Sequence, residues 1–187
     1  TAYLVSKQQL DEVTEKNAKE TKKSATNLGS SEVFDSFVAT VYAESGGGFG
    51  ESAAIANVIQ NRSDYLNKGV TEVMKSTGIY GYRSRTYKKI LGSNSNSDES
   101  LKNARAGVVN TLTGGPDYSS GAYFWEAARF IEISSPDFNP DNWFVRKGYE
   151  ANVGTVLSTS GQVNYRFTRQ IGETIFFKNN PRYHANR

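Results

Sequence analysis

Between residues 31 and 60 the apolar positions recur at three- and four-residue steps. Val33, Phe34, Phe37, Val38, Val41 and Tyr42 make one apolar face, and Ala54, Ile55, Val58 and Ile59 make a second. The spacing predicts a helix that opens at Ser31, a good N-capping residue, and ends at Ala43 and Glu44. Gly46, Gly47 and Gly48 follow, and a glycine run sustains a helix poorly. A second helix begins with Glu51 near its positive N-terminal end. A short helical turn is expected over Thr71 to Lys75, ahead of an irregular loop that runs to Ser84 through Gly78 and Gly81. Glu99 to Leu112 predicts a third long helix, with Leu101, Ala104, Val108 and Leu112 inward. Tyr123 and Trp125 alternate as in a strand and share one face.

Other stretches carry weaker patterns. Lys7 to Ser30 is polar and rich in Lys and Glu, with i,i+4 pairs at Glu12–Lys16 and Glu15–Lys19 that suit a solvated helix through about Lys23. Ser24 to Ser31 then reads as a linker. Gly92 to Asp98 is a Ser/Asn loop, and Pro136 and Pro140 exclude a long regular element from Ser134 to Asn142. No internal repeat is present. The expected organisation is a polar segment over 1–30 and one domain over 31–187. The expected fold class is mainly α, within α+β, with a small strand or hairpin element.

Composition narrows the class. Charged residues are 22% and hydrophobic residues 37% of 187, which suits a chain that buries a real core rather than a disordered one. No apolar run approaches the length of a membrane span. The chain has no Cys, which excludes disulfides, thiol nucleophiles and thiolate zinc sites. His184 has no acid or second His at metal-ligand spacing and reads as a surface residue, so no metal site is expected. The net charge of +3 favours anionic partners. No dense basic cluster marks the C-terminal part, and nucleic acid is not among the expected partners.

The candidate chemistry centres on Tyr42-Ala43-Glu44-Ser45-Gly46-Gly47-Gly48-Phe49-Gly50-Glu51. Glu44 falls at a helix C-terminus, where the local dipole disfavours a negative charge and so favours a protonated acid. A half-buried acid of this kind meets the central need of an enzyme that cleaves a glycosidic bond.

The stretch AESGGGFGESAAIANVIQNR resembles the signature of the spore cortex-lytic, SleB-like cell wall hydrolase family. Two further blocks are similar in the same order. One runs from Ala104-Arg105-Ala106-Gly107 to Leu112, through Gly114-Gly115-Pro116-Asp117, to Gly121-Ala122-Tyr123-Phe124; the other is Ile171-Gly172-Glu173-Thr174-Ile175-Phe176-Phe177. The resemblance spans roughly residues 35–178. The chain departs from the family where Gly46 to Gly48 replace an Arg and a second Glu, and where Trp125-Glu126 replaces an aromatic and Asn. The pair Glu44-Ser45 also resembles the Glu-Ser of soluble lytic transglycosylases, which share a lysozyme-like helical core.

The resemblance implies a lysozyme-like core and cleavage of peptidoglycan between N-acetylmuramic acid and N-acetylglucosamine, outside the cytoplasm. As a lytic transglycosylase, Glu44 would protonate the glycosidic oxygen and then draw the proton from the muramic C6 hydroxyl as it closes onto C1. No metal or organic cofactor is implied. A hydrolytic muramidase would need a second carboxylate, for which Glu51 and Glu126 are the candidates. A non-catalytic glycan-binding module is a third alternative. The glycan-contacting candidates are Ser45, Tyr80, Tyr82, Tyr123 and Trp125, with Trp143 as a further aromatic. Aromatic faces stack on the apolar faces of sugar rings. An autolysin, a phage-type lysin and a delivered toxin all fit such a domain, and the last would imply a protein inhibitor as partner.

Overall fold

The computed structural model describes residues 31–91, 98–133, 156–158 and 164–179. The expectations for 1–30, 92–97 and 134–142, and for Trp143 and His184, lie outside these residues. The described residues group into two compact units, one ending at Tyr118 and the other beginning at Ser119. The fold class is α+β, with helices in the first unit and an antiparallel sheet in the second.

The helices of the first unit are α1 Ser31–Glu44, α2 Phe49–Leu66, α3 Val70–Ser76, α4 Arg85–Ile90 and α5 Glu99–Leu112. The bounds of α1 and α5 match the predicted ones. The six residues of α4 are too few to show an apolar period, and no element was expected there. On α1, Phe34, Phe37, Val38 and Val41 are buried as expected. Val33 is 38% exposed, because it stands about 100° round the helix from Phe34, off the completed stripe.

Every residue from Ser52 to Ile59 is buried, so α2 is covered on all sides and is the central helix of its unit. Its main partner is α5. A Cβ on Gly107 would stand 2.7 Å from Ala53 N and 2.8 Å from Ser52 C, so the two backbones touch there and only glycine fits. Phe37, Ile55, Ile59, Met74 and Leu101 are each under 2% exposed. Burial of each such side chain contributes up to about 1.5–3 kcal/mol. At its end α2 turns off through Asn67 in the left-handed region, with Lys68 N–H donating to Ser63 O at 3.0 Å.

The second unit holds β1 Phe124–Ala127, a 3₁₀ turn Ala128–Phe130, β2 Glu132–Ile133, β3 Val156–Ser158, β4 Asn164–Ile171 and β5 Thr174–Asn179. The strands form one sheet in the order β1-β5-β4-β3-β2, antiparallel throughout. The strand element expected beside the helices is this antiparallel sheet. The Ile171 to Phe177 block covers the end of β4, the turn and the first four residues of β5. The β4–β5 register steps from Phe167↔Phe177 to Arg169↔Phe176, leaving Thr168 as a bulge whose hydroxyl donates to Ser119 O at 2.8 Å. Leu157, Tyr165, Phe167, Ile175 and Phe177 form the core with Ala128 and Ile131, and Phe124 packs on it. The rings of Tyr165 and Phe177 lie 4.7 Å apart, and those of Phe124 and Phe177 are stacked at 5.6 Å.

Candidate active site

Glu44 is the last residue of α1 and is half-buried. Its Oε1 accepts the backbone N–H of Gly81, which is 37 residues further on. The approach is close: a Cβ on Gly81 would stand 2.7 Å from Glu44 Cγ, 2.8 Å from Oε1 and 3.1 Å from Ala43 Cβ. Residue 81 can lie over the carboxylate only as glycine. The loop that presents it is tied down along its length. Tyr82 N–H donates to Ile79 O and Ser84 N–H to Gly81 O, each at 3.2 Å. Ser84 Oγ then caps α4 by accepting Tyr87 N–H at 3.1 Å. Buried Tyr87 shares a 2.8 Å hydrogen bond with Ser36 of α1, and Tyr82 packs edge-on against its ring at 5.3 Å. The loop is therefore anchored to the same helix that carries Glu44.

The glycine turn after Glu44 is held from two sides. Ser45 Oγ accepts Ser52 Oγ–H at 3.1 Å and Gly47 N–H at 3.4 Å, which folds the turn onto the start of α2. From α5, Asn103 Nδ2 donates to Gly47 O at 2.8 Å, and a Cβ on Gly47 would stand 2.5 Å from Ser100 Oγ. Ser45, a glycan-contacting candidate, thus works within the turn. Glu51, the candidate second carboxylate on this unit, lies in the first turn of α2. A Cβ on Gly46 would stand 2.8 Å from Glu51 Oε2, so the carboxylate folds back over the turn. The missing side chain at residue 46 is what leaves it room. Glu51 is half-buried there, beside backbone only two residues beyond Glu44.

The aromatic candidates divide. Tyr80 is 93% exposed next to Gly81, whereas Tyr82 is half-buried with the Arg83 guanidinium 5.3 Å over its ring. Tyr123, Trp125 and Glu126 belong to the second unit. Tyr123 N–H donates to Phe177 O at 3.1 Å, Trp125 sits opposite Phe176, and Glu126 Oε1 accepts the N–H of Ala127 at 2.9 Å. Glu44, Ser45, Glu51, Tyr80 and Tyr82 are brought together on the first unit, whereas Trp125 and Glu126 lie on β1 and Tyr123 immediately precedes it.

Sequence reasoning missed Gly81, Ser100 and Asn103, and also a polar pair beside the turn. Tyr42 donates its hydroxyl to Asp98 Oδ2 at 2.8 Å, while Asp98 Oδ1 caps α5 by accepting Leu101 N–H at 3.2 Å. The bond raises the Tyr42 hydroxyl above its ordinary value, and it holds Asp98 below the usual carboxylate range, with the charge of Lys89 adding to the effect. Asp98 ahead of an apolar-periodic run was a readable capping signal; its tie to Tyr42 was not. Asn61 and Arg62 have positioning work as well. Asn61 Nδ2 donates to Asp117 at 3.1 Å, and Arg62 donates to Thr77 Oγ1 at 2.8 Å.

Among the described residues no group of three or more His, Cys, Asp or Glu could hold a metal ion. Among the same residues no helix is long and apolar enough to cross a membrane. No protein-family model, curated protein or solved structure matches the chain.

Proposed function

We propose that the chain is a peptidoglycan-cleaving enzyme of the lytic transglycosylase type, acting outside the cytoplasm on the bond between N-acetylmuramic acid and N-acetylglucosamine. The observation that carries the reading is the Gly81 amide on the Glu44 carboxylate. A solvated helix-end acid needs no such partner, and here a loop and a glycine are spent on orienting one. The three sequence blocks in family order support the same reading. So does the exposed Tyr80 ring next to Gly81, a surface on which a sugar ring can stack.

In this reading Glu44 donates its proton to the glycosidic oxygen as the bond breaks. The resulting carboxylate then takes the proton of the C6 hydroxyl, whose oxygen closes onto C1. One carboxyl group serves as acid and then base, and no water is consumed. A second reading, the hydrolytic muramidase, is favoured by the pose of Glu51. A carboxylate folded back over the turn is available to activate water in a way that an outward-facing one is not.

The test is clarification of a wall suspension by the purified chain and by Glu44→Gln. The reading expects clarification by the first and a loss on the order of a hundredfold or more in the second, with the thermal transition unchanged. Equal clarification by both would remove Glu44 from the chemistry, and none by either would leave a glycan-binding module.

A further inference from the structure

Immediately beyond the loop that holds Glu44 the chain reads Arg83-Ser84-Arg85-Thr86-Tyr87-Lys88-Lys89, with four cations in seven residues, whereas the whole chain carries a net charge of only +3. All four are exposed. Three of them stand at i, i+3 and i+4 on α4, which puts Arg85, Lys88 and Lys89 on one face. The opposite face is fixed by buried Tyr87 and its bond to Ser36. The stripe is therefore aimed outward by the packing of the helix. Arg83 is held at the loop end of it by its contact with the Tyr82 ring.

Among the described residues none of these four cations makes an ion pair within 4.0 Å; the ion pairs found are Lys68–Glu72 and Lys102–Glu99. The carboxylate whose field reaches the stripe, through Lys89, is Asp98, and its two oxygens already accept from Tyr42 and Leu101. An exposed array of like charges with no ion pair among the described residues raises the local concentration of an anionic chain and pays little desolvation in doing so.

We infer that the Arg83, Arg85, Lys88 and Lys89 stripe binds the carboxylates of acidic peptide stems on the glycan strand, next to the acid that cleaves it. The inference rests on the proposed glycan substrate and names the form of it preferred, a strand that keeps its stems over a bare one. Exposed charge contacts are individually weak, so the four act by summation and their effect is screened by salt.

The experiment measures co-sedimentation of the full chain, carrying Glu44→Gln to prevent digestion, with three insoluble wall preparations. One keeps its peptide stems and its phosphodiester polymers, one has lost the polymers to acid, and one has lost the stems to an amidase. The comparison variant adds Arg83→Gln, Arg85→Gln, Lys88→Gln and Lys89→Gln, and Lys88→Gln with Lys89→Gln serves if the fourfold change unfolds the chain. The expected result is binding about tenfold weaker for the fourfold variant on both stem-bearing walls, and no difference on the stripped wall. Binding to the stem-bearing walls also falls with added salt. Equal binding of parent and variant to stem-bearing walls would overturn the inference. So would a difference that vanishes with the phosphodiester polymers rather than with the stems. Because the readout is binding, it stands apart from failure of wall clarification, which would remove the enzymatic reading instead.

Discussion

The two units are held together by different physics. In the helical unit the decisive contacts are polar and specific: Gly81 N–H on Glu44, Asn103 on the carbonyl of Gly47, Ser52 on Ser45, and Tyr42 on Asp98. In the sheet unit they are aromatic and collective, with Phe124, Tyr165 and Phe177 in mutual contact and Thr168 set aside in a bulge. An aromatic cluster stabilises by area and tolerates small displacements. A single amide on a carboxylate fixes one atom and tolerates none, which is the demand of general acid catalysis. Under the proposed function the reaction chemistry falls to the helical unit, and Tyr123 and Trp125 of the sheet unit are candidates for binding alone.

Four substitutions would break or sharpen that contrast. Phe177→Ala should cost the most, about 3–5 kcal/mol of stability in urea denaturation, because it removes the ring that both Phe124 and Tyr165 touch. A cost below about 1 kcal/mol would mean that the cluster does not carry the sheet. Gly81→Ala should show the opposite profile. Its methyl group must displace either the loop or Glu44, so wall clarification should fall on the order of a hundredfold while the melting temperature moves little. Full activity in this variant would mean that the clamp has no part in the chemistry.

Gly107→Ala comes next, with a stability cost of about 1–3 kcal/mol, because its methyl group meets backbone that cannot give way. A neutral result in a melting experiment would show that α2 and α5 can part. Tyr42→Phe should be smallest, below about 1 kcal/mol near neutral pH, since the pair is close to solvent. The sign with pH follows from the directions. Asp98 is held below its ordinary value, so its contribution is present above the unfolded carboxylate range and is lost as pH falls through the folded value. Tyr42 is raised, so its contribution holds at neutral pH and is lost only in strong alkali. The stability gap between parent and Tyr42→Phe should therefore shrink on acidification. A gap unchanged in acid would assign the effect to packing.

What could be read from the sequence follows the same divide. The helices α1 and α5 were legible to their ends because an apolar period is bounded locally, by three glycines after α1 and by a Ser/Asn loop before α5. The place of Glu44 at the helix end was legible for the same reason, at the point where an apolar stripe meets three glycines. Gly81 was not, because its meaning lies in contact with a residue 37 positions away, and a glycine between two tyrosines reads locally as a loop. The pose of Glu51 was not legible, because it depends on the empty space above Gly46. The full extent of the sheet was not legible, because the strand alternation drawn from the sequence covers only Tyr123 and Trp125. Tyr165, Arg166 and Phe167 alternate buried, exposed and buried, which was the available signal for β4.

The most direct measurement is mass spectrometry of muropeptides released from purified walls by the parent chain and by Glu44→Gln, run side by side. The expected result is 1,6-anhydromuramic ends from the parent and none from Glu44→Gln, with a Glu51→Gln variant giving the same anhydro products as the parent. Equal yields of anhydro ends from parent and Glu44→Gln would contradict the account, as would reducing muramic ends that disappear in Glu51→Gln.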